Sequence, residues 1–298
     1  MQNASNIIVT EEEVKKHAAQ RRSGEYLKIK TPTQYKDEII NFFTEDVMGG
    51  LPLPFEKTQS DFRIRMGELT VVSGYSGHGK TAWLSYCLLH LLKQTKVLIA
   101  SFEMLPKATL GRLCMQTGNS DPTQSYIEDF VTQIENRLWL YDAEGETTAL
   151  RVLDVIYYAA QELKVKVFVI DSLMKCGINE DDLNGQKNFA NKLAVAARDL
   201  GIHIFLVAHS RKTESEDNTP SKFDVAGSAN ITNLADNSIS VHRNKRKEKA
   251  LMYGDPAEEW IDTPDCTVYL NKQRHGNGFE GQWGFWFESK TFRYKEKP

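Results

Sequence analysis

"ELTVVSGYSGHGKTAWLSYCLLHLLKQ", residues 68 to 94, decides the fold class. Its first part, "ELTVVSG", is a compact β-branched run of the kind that forms a buried strand. Its last part places Trp83, Leu84, Cys87, Leu88, Leu91 and Leu92 on one broad apolar helical face. Between them lies "GYSGHGKT", which fits G-x-x-x-x-G-K-[ST] with Gly74, Gly79, Lys80 and Thr81. Glycines let such a loop curl so that backbone N–H groups, here of Ser76, Gly77, His78 and Gly79, face phosphate oxygens. Lys80 would reach the β- and γ-phosphates, and the Thr81 hydroxyl would bind Mg²⁺. The helix N-terminus adds partial positive charge at the same point.

Working outward, a β/α alternation runs from residue 61. Strand candidates are Leu69–Ser73, Val97–Phe102, Val165–Ile170 and Ile202–Ala208, with helical patterns between them. This predicts an α/β fold with a mostly parallel central sheet covered on both faces. After residue 236, "NSISVHRN", "DCTVYLNKQR" and "GQWGFWFESKTFRY" read as strands without long helices between them, expected antiparallel at the sheet edge. Residues 1–60 form a separate arm. "TEEEVKKHAAQRR" is a polar helix pattern, and "TPTQYKDEIINFFTEDV" carries Pro32 at a first helical position with Tyr35, Ile39, Phe42 and Phe43 on one face. The expected organisation is an N-terminal arm at 1–60 and one nucleotide-binding domain at 61–298.

Composition is that of an ordinary soluble chain: 298 residues, 41% hydrophobic, 26% charged, formal net charge −3. No overall basic field points to nucleic acid, although a channel needs only locally placed cations. The four cysteines, Cys87, Cys114, Cys176 and Cys266, lie far apart with no C-x-x-C spacing; Cys87 and Cys114, in helix-like stretches, read as packed thiols, and a reducing compartment fits. No run is apolar enough for a signal peptide or membrane span, so the expected location is the cytoplasm.

Ligands of parallel α/β sheets bind at the carboxyl ends of strands. "VKVFVID" ends in Asp171, placed for the Mg²⁺ shell, with a helix cap as the competing role. "VLIASFEM" carries Glu103, placed to deprotonate an attacking water, against a simple surface position. "IHIFLVAH" ends in His209, a candidate phosphate sensor or a structural histidine. In the long polar stretch that follows, Arg211, Lys212 and Lys222, with amides around Gly227 and Ser228, suit a phosphodiester strand. The acids Glu214, Glu216 and Asp217 weigh against that. "SLMKCGINEDDLNGQK", with Lys175 and Lys187, is a second such loop, whereas "HRNKRKEK" reads best as a solvated charged face. "YLNKQRHG" puts Lys272 and Arg274 on one face of a late strand, where in an oligomer they would reach the γ-phosphate of the next subunit.

Together, "FRIRMGELTVVSGYSGHGKT", "IASFEM", "VFVIDSL", "VAHSRK", "DVAGSANITNLADNSISVHRN" and "NKQRHGNGFEG" resemble the ring-forming replicative helicases of the DnaB type, especially the phage and Twinkle-like branch. The resemblance covers roughly residues 50 to 294. It implies a RecA-like P-loop NTPase core with antiparallel C-terminal edge strands, assembled as a homo-hexamer with nucleotide sites between subunits. It further implies 5′ to 3′ translocation on single-stranded DNA, driven by ATP or dTTP with Mg²⁺. In this family pattern Lys80 and Thr81 bind phosphate and metal, Glu103 is the base, Asp171 the metal-associated acid and His209 the sensor. Lys272 and Arg274 act in trans, and the loops at 174–187 and 211–230 face DNA. A primase and a helicase loader are the further partners implied. The residues before position 50 leave room for a linker helix, not for a primase or globular N-terminal domain. Two other readings keep the same nucleotide residues: a RecA/KaiC-like DNA-binding ATPase that does not unwind, and a loader or regulatory ATPase.

Overall fold

The computed structural model describes residues 29–44, 49–143, 147–179, 181–209, 229–254 and 256–298. The chain divides into two compact units, Met1–Val47 and Met48–Pro298, so the division falls before the composition boundary near residue 60. In the first unit a 3₁₀ turn at Pro32–Tyr35 leads into helix α1 (Lys36–Thr44). Pro32 sits at its first position, and the Gln34 side chain accepts the Thr31 backbone N–H at 2.8 Å. The helix predicted over "TEEEVKKHAAQRR" lies outside the described residues.

The second unit runs β1 (Leu51–Pro52), β2 (Arg63–Ile64), β3 (Leu69–Ser73), α2 (Lys80–Leu91), β4 (Val97–Ser101), α3 (Pro106–Gln116), α4 (Gln124–Ile134), β5 (Leu138–Leu140) and α5 (Ala149–Gln161). It continues with β6 (Val167–Asp171), α6 (Leu183–Leu200), β7 (His203–Val207), α7 (Ala229–Leu234), β8 (Asn237–Arg243), α8 (Lys245–Tyr253), β9 (Cys266–Gln273), β10 (Gly281–Glu288) and β11 (Arg293–Lys295). One nine-stranded sheet has the order β11-β10-β9-β8-β3-β7-β6-β4-β5. Strands β8, β3, β7, β6, β4 and β5 are parallel, and β9, β10 and β11 add antiparallel at one edge.

Strands β4, β6 and β7, and most of β3, are apolar on both sides because both faces are covered. Val72, Ile99, Val169 and Phe205 pack on one face with Trp83, Leu84 and Leu88 of α2. Val71, Leu98, Phe168 and Leu206 pack on the other with Ile156 of α5 and Phe189 and Leu193 of α6. The two-residue alternation of each strand therefore feeds two cores at once. All four cysteines are buried, and none forms a disulfide.

Three local expectations are corrected. "NSISVHRN" is β8, which runs parallel to β3 rather than antiparallel. A nine-residue helix, α8, stands between β8 and β9. Lys187 lies within α6, whose N-terminus is capped by the Asp182 side chain accepting from the Gly185 N–H at 2.8 Å, so only part of the 174–187 stretch is loop.

Candidate active site

The phosphate loop leaves β3 between two parallel neighbours, β7 and β8, and enters α2. Gly79, the residue before the helix, has φ +87°, a left-handed conformation that glycine adopts without steric cost. A Cβ there would also lie 2.9 Å from the Tyr294 hydroxyl. Lys80 is buried and its Nζ donates to the carbonyls of Gly74 and Tyr75 at 2.9 and 3.0 Å. Burial lowers the pKa of this ammonium, while the charges of Asp171 and Glu103 act the other way.

Parallel pairing brings the strand-end acids to the loop. β4 and β6 are in register with Ser101 beside Asp171, which sets Glu103 and Ser172 next to each other. Thr81 Oγ1 donates to Asp171 Oδ2 at 2.7 Å. Ser172 Oγ donates to Glu103 Oε1 at 2.7 Å, and His209 Nε2 lies 3.0 Å from the same oxygen. The His209 and Ser172 hydrogen bonds hold the Glu103 carboxyl down to about 2, against the opposing effect of burial. Asp171 is shifted up, chiefly by burial, with the Thr81 hydrogen bond opposing. A cleft of about 540 Å³ opens beside Glu103, lined among others by Met104, Asp142, Lys175 and Asn179.

The hydroxyl of Thr81 and the buried carboxylate of Asp171 are hard oxygen donors side by side, a set that fits Mg²⁺. Among the described residues no group of three or more His, Cys, Asp or Glu forms a metal site by itself. Mg²⁺ does not need one, since it keeps waters and takes substrate phosphates as ligands.

Lys272 and Arg274 are not brought to the phosphate loop of their own chain. At the end of β9, Gln273 pairs with Asn237, and Asn237 pairs with Thr70 near the start of β3. The loop follows Ser73 at the other end of that strand. Both basic side chains instead donate to the Asn233 carbonyl. Arg211, Lys212, Lys222, Gly227 and Ser228 lie outside the described residues. Lys175 is exposed in the turn after β6.

Sequence reasoning missed the contribution of "HRNKRKEK". The Arg243 N–H donates to His78 Nδ1 at 3.2 Å, and Arg243 Nη1 approaches the Gly77 carbonyl at 3.5 Å. Lys247 is buried, with Nζ 2.7 Å from Asp265 Oδ1. This run is therefore partly a brace for the phosphate loop. The one available signal was its position at the end of a strand-like segment, where α/β sheets bind ligands.

Comparisons with known proteins agree with this geometry. The model of the AAA domain family matches residues 56–215. A Twinkle homolog protein, chloroplastic/mitochondrial, of Arabidopsis thaliana is 23% identical over 221 residues, which cover 66% of this chain and 31% of that protein. The chain thus spans about a third of the length of that relative. A DnaB-like replicative helicase, solved in a study of its interactions with primase, superimposes with a TM-score of 0.72 at 16% identity, over 95% of this chain and 72% of that one. A second solved structure, an ATPase domain, superimposes with a TM-score of 0.70 at 15% identity, over 87% of this chain and 97% of that one. The RecA-like core of DnaB-type helicases is the fold of this chain.

Proposed function

The chain belongs to the AAA domain family, and from that premise we propose that it is a nucleotide-driven replicative DNA helicase. In this reading it moves 5′ to 3′ along single-stranded DNA as a homo-hexameric ring and displaces the complementary strand. The observation that carries the reading is the division of catalytic parts between the two ends of one sheet. Glu103, Asp171, Thr81 and Lys80 gather at the carboxyl ends of β3, β4 and β6. The basic pair Lys272 and Arg274 sits at the opposite end, away from the phosphate loop of its own chain, which suits a role at the site of a neighbouring copy.

Each residue then has a defined task. Lys80 exchanges its bonds to the Gly74 and Tyr75 carbonyls for the β- and γ-phosphate oxygens of ATP or dTTP. Thr81 and Asp171 hold Mg²⁺, which when bound neutralises charge on the phosphates. Glu103, kept ionised by His209 and Ser172, orients the attacking water and accepts its proton. His209 touches this carboxylate and directly precedes the polar stretch at 211–230 in the chain. It is thereby suited to report the state of the γ-phosphate to the DNA-facing segment. Arg211, Lys212, Lys222 and the amides near Gly227 and Ser228 hold the DNA backbone, with Lys175 as a further contact. Arg274 from the adjacent subunit completes the site. A primase and a loader are the partners this assignment suggests.

The test is nucleotide hydrolysis with Mg²⁺, with and without single-stranded DNA, over a range of protein concentrations. It is followed by unwinding of duplexes carrying either a 5′ or a 3′ tail. DNA-stimulated hydrolysis that rises cooperatively with concentration, with unwinding from the 5′ tail, is expected. Hydrolysis indifferent to DNA and concentration would replace the motor with a regulatory ATPase. Stimulation without unwinding would leave a DNA-binding ATPase.

A further inference from the structure

Asp236 stands at the junction of α7 and β8, buried at 3% exposure and apart from the phosphate loop of its own chain. Its Oδ2 accepts the N–H of Leu69, the first residue of β3, at 3.0 Å. Its Oδ1 accepts from Arg274 Nη1 at 2.9 Å. Its backbone repeats both links: the Asp236 N–H donates to the Leu69 carbonyl, and the Arg274 N–H to the Asp236 carbonyl, each at 2.9 Å. Arg274 Nη2 donates to the Asn233 carbonyl at 2.9 Å, so the planar guanidinium is held at two points.

The two basic residues are then not equivalent. Lys272 Nζ lies 2.9, 3.1 and 2.6 Å from the carbonyls of Thr232, Asn233 and Ala235, a number that matches its three N–H donors. Arg274 carries five N–H donors, of which these contacts use two, and its side chain is 40% exposed. Its remaining donors form a rigid fork suited to phosphate oxygens.

From this we infer that Asp236 is a positioning residue for the neighbour's nucleotide site, fixing the direction in which Arg274 leaves its own subunit, while Lys272 anchors the α7 carbonyls beneath it. A carboxylate locked to the backbone of β3 is a fixed support, whereas a long exposed arginine alone samples many rotamers. The inference rests on the proposed trans role of Arg274 and deepens it. Its distinctive consequence is directional: loss of Asp236 harms the site of the adjacent copy and leaves the chain's own phosphate loop competent.

The test measures DNA-stimulated hydrolysis by D236N, R274A and E103Q, each alone and then with D236N or R274A co-assembled with E103Q. D236N is expected to lower kcat between about tenfold and hundredfold, as misplaced catalytic groups do, with KM for the nucleotide within about twofold of wild type. In the co-assembly, an E103Q chain presents an intact Asp236–Arg274 pair to the intact site of a D236N chain, so hydrolysis rises above the sum of the separate proteins. The same recovery is expected for R274A with E103Q. Recovery with R274A but not with D236N would mean that Asp236 acts within its own chain, overturning this inference and keeping the trans arginine. Recovery with neither would remove the trans role and the inference with it. Recovery with D236N alone would mean that Asp236 steers some other group, and would also overturn it. Should D236N unfold, D236E keeps the charge but displaces it by one methylene, and the same drop in kcat and the same recovery are required of it.

Discussion

His209 Nε2 and Ser172 Oγ converge on one oxygen of Glu103, at 3.0 and 2.7 Å. Three strand ends thus meet at one carboxylate: Glu103 follows β4, Ser172 follows β6 and His209 follows β7. The two donors stabilise the charged form, which is why the carboxyl titrates at about 2 rather than in its ordinary range.

Removing the carboxylate should stop turnover without preventing nucleotide binding. Glu103→Gln is expected to lower kcat by about 10²- to 10⁴-fold, the usual contribution of a general base. His209→Ala should act differently, by letting the Glu103 pKa rise from about 2 towards its usual range. Protonation then begins at higher pH, and the acidic limb of kcat/KM shifts upward. A pH–rate profile that is the same in wild type and His209→Ala would refute the coupling.

The phosphate loop should be intolerant at Gly79 for two separable reasons. Alanine at φ +87° meets the left-handed penalty of about 1–2 kcal/mol, and its Cβ crowds the Tyr294 hydroxyl at 2.9 Å. Gly79→Ala should weaken nucleotide binding by about tenfold, which corresponds to roughly 1.4 kcal/mol. Adding Tyr294→Phe removes the crowding but leaves the backbone penalty, so only part of the affinity returns. Calorimetric titration of the single and double variants checks this, and full recovery would rule out the backbone part.

Metal dependence should follow Thr81 and Asp171. Asp171→Asn keeps the shape but removes the charge opposite the cation, so a much higher Mg²⁺ concentration is needed for half-maximal hydrolysis. Thr81→Ala should move the same midpoint in the same direction. Chelation of divalent cations should abolish hydrolysis by wild type. An unchanged Mg²⁺ midpoint in Asp171→Asn would assign the cation to other ligands.

His203 should make stability depend on pH. It is fully buried, its Nδ1 is 2.7 Å from the Arg65 carbonyl, its Nε2 has no hydrogen-bond partner among the described residues, and burial lowers its pKa to about 4. Unfolding restores a value near 6.5, so between these values the unfolded chain binds the additional proton. The contribution of His203 to stability is therefore fully present only above about 6.5 and falls as pH drops towards 4, by up to about 1.4 kcal/mol per pH unit for one proton. Urea unfolding of wild type and His203→Gln across this window should differ in slope by about that amount. His78, also lowered to about 4 by burial, keeps a residual slope in the variant.

What was legible in the sequence was local. The strand–loop–helix around Gly74 to Thr81 and the acids that follow apolar strands could be read because one segment contains the whole pattern. The direction of β8 could not, because alternation records which faces are buried and not which way a neighbour runs. β5 has only three residues, too few for a period to declare itself. The contact of Arg243 with His78, and that of Asp236 with Leu69, join segments more than 150 positions apart. Such contacts follow from strand order, which composition does not encode. The DNA-facing residues Arg211, Lys212, Lys222, Gly227 and Ser228 remain proposals from sequence.

The placing of β3 between β7 and β8 also bears on the order of synthesis. The strand that carries the phosphate loop leaves the ribosome well before the two strands that pair with it, which begin only at His203 and Asn237. Tyr294, whose hydroxyl donates to the Gly79 carbonyl at 3.4 Å, comes later still. The frame of the loop cannot be completed until synthesis has passed Asn237, and until then the apolar β3 and α2 need shelter from aggregation. A chain cut short before Asn237 would carry the complete GYSGHGKT sequence and still lack the strand that flanks β3 on one side.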